Sequence, residues 1–138
     1  FRRERGAMLL GTATFWEGVD FPGASLEVVV VTKLPFLVPS DPWVAARCEQ
    51  LRTAGEDPFR SFMLRDAVLR LRQGVGRLLR RRDDRGVILL LDNRLITRPY
   101  GTTFRDALPT AVRWLPHARQ LATAAREFLI DGDRGSLP

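Results

Sequence analysis

The stretch LEVVVVT, residues 26–32, decides the fold. From Val28 to Val31 it is continuously apolar and β-branched, with no polar residue turned to either face. A strand buried on both faces reads this way, and such strands belong to parallel sheets covered by helices. Two other runs have the same character: residues 7–11 (AMLLG) and 86–92 (GVILLLD). Three strands are therefore expected, each ending in small or polar residues: Gly11-Thr12, Thr32-Lys33 and Asp92-Asn93-Arg94.

Helical patterns lie between and after these runs. Asp41-Pro42 supplies an N-cap and a first-turn proline, and Val44, Cys48 and Leu51 follow at i, i+4 and i+7, with Gly55 at the stop. Asp57-Pro58 restarts the chain into a helix over about residues 64–82. Pro116 opens a last helix whose expected buried stripe is Leu121, Ala125 and Phe128. Strands alternating with helices make this an α/β layered fold. In such sheets ligands bind outside the carboxyl ends of the strands, so the polar strand ends are where chemistry is expected.

The helix over 64–82 carries the octet QGVGRLLR, residues 73–80. At about 100° per residue, Gln73, Arg77 and Arg80 share one face. Leu64, Val68, Leu71, Val75 and Leu79 share roughly the opposite one. One side buries against a core, and the other presents an amide and two guanidinium groups in a line. Gly74 and Gly76 flank that line. Each glycine costs a helix about 1 kcal/mol relative to alanine. Their presence argues for close approach of a ligand or a facing backbone.

A second constellation spans residues 11–23, GTATFWEGVDFPG. Thr12 offers a hydroxyl and an N–H suited to a phosphate oxygen. Gly18 allows close backbone approach. Asp20, when ionised, only accepts hydrogen bonds and suits ribose hydroxyls. Phe15, Trp16, Phe21 and Pro22 would hold the segment against the sheet.

The chain has 138 residues, 45% of them hydrophobic and 28% charged, which suits one domain with one sizeable core. The net charge is +6, and Lys33 is the only lysine among 22 basic residues. The basic balance raises the weight of nucleic acid or nucleotide as a partner. A single cysteine, Cys48, excludes an intrachain disulfide and a cysteine-ligated cluster built from this sequence. No apolar run approaches the ~20 residues that span a bilayer. A cytoplasmic location with no membrane partner is the expectation. The chain begins with Phe1 and is expected to be part of a longer protein.

With these residues in place, the resemblance is specific. QGVGRLLR resembles motif VI of superfamily 2 helicases, Q-x-x-G-R-x-x-R. TATFWEGVD resembles motif V, T-x-x-x-x-x-G-x-D. FWEGVDFPG, KLPFLVPSDP and LDNR resemble the DinG/XPD branch of ATP-dependent DNA helicases, over about residues 7–110. The resemblance implies a RecA-like parallel β-sheet flanked by helices, the second of two motor domains, over residues 1–130, with a flexible tail over 131–138.

The resemblance also assigns roles. Arg77 and Arg80 match the arginines that reach the γ-phosphate of ATP across the cleft between two RecA-like domains. Gln73 matches the motif VI glutamine near the nucleotide. Gly18 and Asp20 match motif V residues that contact the nucleotide or couple it to DNA, and Thr12 matches the threonine near the DNA backbone. Lys33 and Trp16 are candidate contacts to single-stranded or forked DNA. Glu17 stands where relatives outside this branch carry arginine. ATP with Mg²⁺ is the implied cofactor, held mainly by a first RecA-like domain that would precede Phe1. The sequence contains no GxxxxGK[ST] loop and no acidic magnesium motif. An iron–sulfur cluster, where one exists, would belong to that missing part. The fragment alone is expected to be inactive. Two alternatives stand beside the motor: a non-hydrolysing RecA-like module that binds nucleic acid or another subunit, and the helicase-like part of a nuclease-fused protein.

Other residues have plainer readings. Arg70, Arg72, Arg81, Arg82 and Arg85 read as surface charge. Asp92 and Arg94 read as structural, pairing with each other or with the arginine helix, Cys48 as a core thiol, His117 as incidental, and Trp43 and Trp114 as core aromatics.

Overall fold

The computed structural model describes residues 7–12, 26–76 and 85–131. Two parallel strands organise it, β1 (Val28–Val31) and β2 (Val87–Leu90). Val28 pairs with Val87 and Val31 with Leu90. The ladder is extended at both ends, where Val87 N donates to Glu27 O and Leu91 N to Val31 O, each at 2.9 Å. Parallel neighbours require a crossover, usually helical. Here it holds α1 (Pro42–Thr53), a π-helical turn (Phe59–Met63) and α2 (Leu64–Gly76). After β2 come α3 (Arg94–Thr97), α4 (Gly101–Asp106) and α5 (Ala118–Asp131).

The signals for α1 act as their chemistry requires. Asp41 Oδ1 accepts from Trp43 N at 2.9 Å and Val44 N at 3.2 Å, satisfying two donors that the first turn leaves open. Pro42 occupies a first-turn position where no N–H is needed. At the other end Gly55 adopts a φ of 77°, its N–H donates to Arg52 O, and Glu56 N donates to Leu51 O. This is the Schellman closure that glycine permits. Val44, Cys48 and Leu51 are buried, as their spacing predicts.

Asp57 starts the next segment, its carboxylate accepting from Phe59 N at 2.9 Å. The π-helical turn then runs into α2. The inner face of α2 is dry: Ala67, Leu71 and Val75 have no exposed surface. They pack with Val31, Leu34, Leu95 and Phe104 into one core beneath the sheet. Leu64 and Val68 are half-buried against it, as the helical periodicity predicts. Phe36, Phe59, Tyr100 and Phe104 form an aromatic cluster on one flank, with ring centroids 5.2–6.3 Å apart. Gly101 makes the α3–α4 corner possible, because a Cβ there would collide with the Leu95 carbonyl.

Several expectations are corrected. Residues 7–11 form no strand, and Met8, Leu9 and Leu10 are exposed. An apolar run becomes a strand only when it pairs, and among the described residues β1 and β2 pair with each other alone. The architecture is thus mixed helix and strand with a small parallel sheet. In α5, Leu121 is half-buried and Ala125 buried, but Phe128 is exposed. Its ring is met by the Arg85 guanidinium, 5.2 Å from the centroid. Trp43 and Trp114 are not core residues and are more than three-fifths exposed. The register that buries Val44, Cys48 and Leu51 turns Trp43 outward, where it touches Phe62 edge-on at 5.7 Å. Residues 77–82 of the expected arginine helix and 132–138 of the expected tail lie outside the described residues.

Candidate functional site

The carboxyl ends of β1 and β2 lie side by side because the strands are parallel and in register. Thr32 and Lys33 leave β1 exposed. Lys33 has no ion-pair partner among the described residues. The chain re-enters the core at once with Leu34, which is 4% exposed.

The end of β2 carries the most constrained polar group described. Asp92 Oδ2 accepts from Leu34 N at 2.8 Å, joining the two strand ends across 58 residues of sequence. The same oxygen accepts from Arg94 Nη2 at 2.6 Å and Nε at 3.0 Å. Oδ1 accepts from Arg94 N and Nε, each at 3.0 Å. The carboxylate side chain is only 7% exposed. The pairing of Asp92 with Arg94 follows the sequence reading; the bond to Leu34 and the place of the guanidinium do not. Arg94 lies over the Phe36 ring at 5.2 Å, which ties α3 to the segment following β1.

These contacts have an electrostatic signature. The Arg94 side chain holds the Asp92 carboxyl down, from 3.8 to about 2, with backbone donors at Leu34 and Arg94 helping and burial opposing. Arg94 is pushed upward from its ordinary value, first by its hydrogen bond to Asp92, with burial opposing. Both groups are ionised across the ordinary pH range.

On α2, Gln73 is exposed while Leu71, Gly74 and Val75 are buried, so its amide stands on the face turned from the core. It makes no hydrogen bond among the described residues. At Gly76 a Cβ would meet nothing within 4 Å, so the room the glycine leaves is open space. On the half-buried flank of the helix Arg70 Nε pairs with Asp66 at 2.6 Å, making it a helix pair and not a solitary surface charge. Thr12 is exposed and outside regular structure. Arg77, Arg80, Gly18, Asp20 and Trp16 lie outside the described residues.

A shallow hollow on α5 is lined by Arg113, Leu115, Arg119, Gln120, Thr123 and Glu127, and includes none of the residues singled out by sequence. Among the described residues no group of three His, Cys, Asp or Glu could hold a metal ion. Cys48 is a lone buried thiol. The described residues therefore do not build a magnesium or iron–sulfur centre. Among the described residues the exposed Gln73 amide stands near the open space at Gly76. No described helix is long and apolar enough to cross a membrane.

Residues 1–111 match the family model for a helicase C-terminal domain. The chain is 50% identical over 128 residues to the ATP-dependent DNA helicase YoaA of Escherichia coli, covering 93% of this chain and 20% of that protein. It is 52% identical over 110 residues to the 3'-5' exonuclease DinG of Bacillus subtilis, covering 80% and 12%. Over 109 residues it is 42% identical to the ATP-dependent helicase DinG of Mycobacterium tuberculosis, covering 79% and 16%. The chain thus spans between about an eighth and a fifth of the length of these curated relatives.

Proposed function

The chain belongs to the helicase C-terminal domain family, and on that premise we propose that it is the second, RecA-like motor domain of an ATP-driven DNA helicase. In this reading it works against a first motor domain of the same protein, on single-stranded or forked DNA. The observation that carries the proposal is the two-faced α2. Its inner face is fully buried at Ala67, Leu71 and Val75, which leaves Gln73 on the outer face at the start of the motif VI octet.

In the helix that the sequence pattern predicts over 64–82, Arg77 and Arg80 share the face of Gln73. Phosphoryl transfer spreads negative charge over the γ-phosphate oxygens, and planar guanidinium groups match those oxygens with paired hydrogen bonds. Arginines in this role are worth about 10³-fold or more in rate. Bound ATP with Mg²⁺ supplies the free energy of the cycle. Gln73 hydrogen-bonds near the nucleotide, and Gly18 and Asp20 contact it or couple it to the DNA grip. Thr12, Lys33 and Trp16 meet the DNA, the first two at phosphates and the third by stacking. Closure that depends on the γ-phosphate supplies the two-state element that translocation needs.

The test is Arg80→Ala in the full-length protein. DNA-stimulated ATP hydrolysis falls at least about 10³-fold while ATP binding is mostly kept. Unchanged turnover would overturn the assignment. The exonuclease named for the Bacillus subtilis relative favours a second reading, in which the same motor domain serves a nuclease-fused protein. Nuclease activity that survives Arg80→Ala in the full-length protein would identify that case.

A further inference from the structure

We propose that Asp92 and Arg94 form a clamp that fixes the base of Lys33, making both of them positioning residues for its phosphate contact. The inference rests on the DNA-contacting role proposed for Lys33. Its geometric basis is the peptide joining Lys33 to Leu34. The N–H of that peptide donates to Asp92 Oδ2 at 2.8 Å. The next carbonyl, Leu34 O, accepts from Phe36 N at 2.8 Å, and the Leu34 side chain is sunk in the core. On the other side of Lys33, Val31 O accepts from Leu91 N at 2.9 Å. The backbone is therefore held on both sides of the lysine, while the lysine itself is exposed.

Arg94 closes the clamp from two directions. Its fork holds both carboxylate oxygens, and its face rests on Phe36, two residues beyond Leu34. The aspartate thus holds the backbone after Lys33, and the arginine holds the aspartate and the Phe36 ring two residues on. A lysine is a point charge on a flexible stem, so the placement of its base decides where the charge can reach. A merely structural pair would stabilise the domain without altering how many phosphates the protein neutralises.

The experiment measures binding of a fluorescent oligothymidylate to the full-length protein across a salt series. The proteins are wild type, Lys33→Ala, Asp92→Ala, Asp92→Asn and the double variant Lys33→Ala/Asp92→Ala, all held well below their melting temperatures. Losing one phosphate contact on a single strand lowers the salt slope by about 0.7, and affinity falls about three- to tenfold. Lys33→Ala and Asp92→Ala each show this change. The double variant is no weaker than Lys33→Ala, because the clamp acts through the lysine. Asp92→Asn keeps an acceptor for Leu34 N–H and recovers part of the loss.

Wild-type slope and affinity in Asp92→Ala, or an additive loss in the double variant, overturns the clamp and leaves the role of Lys33 intact. Wild-type binding by Lys33→Ala overturns that role and the clamp with it. Where Asp92→Ala does not fold, Asp92→Asn combined with Lys33→Ala makes the same comparison: a loss no greater than that of Lys33→Ala supports the clamp, and an additive loss overturns it.

Discussion

Replacing Asp92 by asparagine removes one charge from a nearly closed site while keeping its shape. The carboxyl is held at about 2 against an ordinary 3.8. That difference corresponds to about 2.5 kcal/mol favouring the charged form, or about a 60-fold change in an opening equilibrium. The reporter is the amide of Leu34, which opens only when its bond to Asp92 breaks. Amide hydrogen exchange in the full-length protein, wild type against Asp92→Asn, reads the ratio directly. Near pH 6 the Leu34 amide should exchange faster in the variant, by at most about 60-fold, because Arg94 contributes the largest share of the shift. The folded value lies below the unfolded one, so the stabilisation is fully present above pH 3.8 and lost as pH falls through about 2. The ratio should therefore shrink toward unity as pH approaches that value. Equal exchange near neutrality, or a ratio constant down to acid, would refute the electrostatic account.

Gly101→Ala should destabilise the domain by about 1–3 kcal/mol or more, since the new methyl group meets the Leu95 carbonyl and no flexible side chain can yield; a thermal melt of the full-length protein that matches wild type would show that the corner relaxes freely. Trp16→Ala should weaken oligothymidylate binding by about 1–3 kcal/mol if the indole carries one base. Unchanged affinity in an anisotropy titration would return Trp16 to a purely structural role.

The parts of the fold legible in the sequence are those specified by neighbours in the chain. Asp41, Pro42 and Gly55 set the ends of α1 through bonds that reach at most a few residues. The apolar face of α2 followed from a 3.6-residue repeat, and β1 and β2 from continuous apolar runs. Residues 7–11 have the same apolar character as β2 yet form no strand, because strand formation depends on a partner that composition does not name. The exposed face of Phe128 was hidden for a similar reason, since its neighbour Arg85 is distant in sequence. In the candidate site, the outward turn of Gln73 was legible from periodicity and the Asp92–Arg94 pair from adjacency. The bond from Leu34 to Asp92 was not, because no local rule links residues 58 positions apart. That bond fixes the backbone immediately after Lys33.

The crossover between the strands has a consequence for synthesis. β1 leaves the ribosome long before β2, the one strand it pairs with among the described residues. α1, capped from within its own sequence, can form early; the Lys33–Leu34 peptide cannot be set until Asp92 emerges. A nascent chain halted between residues 34 and 92 would thus carry a four-valine strand without β2, an edge open to pairing with another chain. The order of translation makes the end of β2 the point at which that hazard closes and the polar end of the sheet takes its final form.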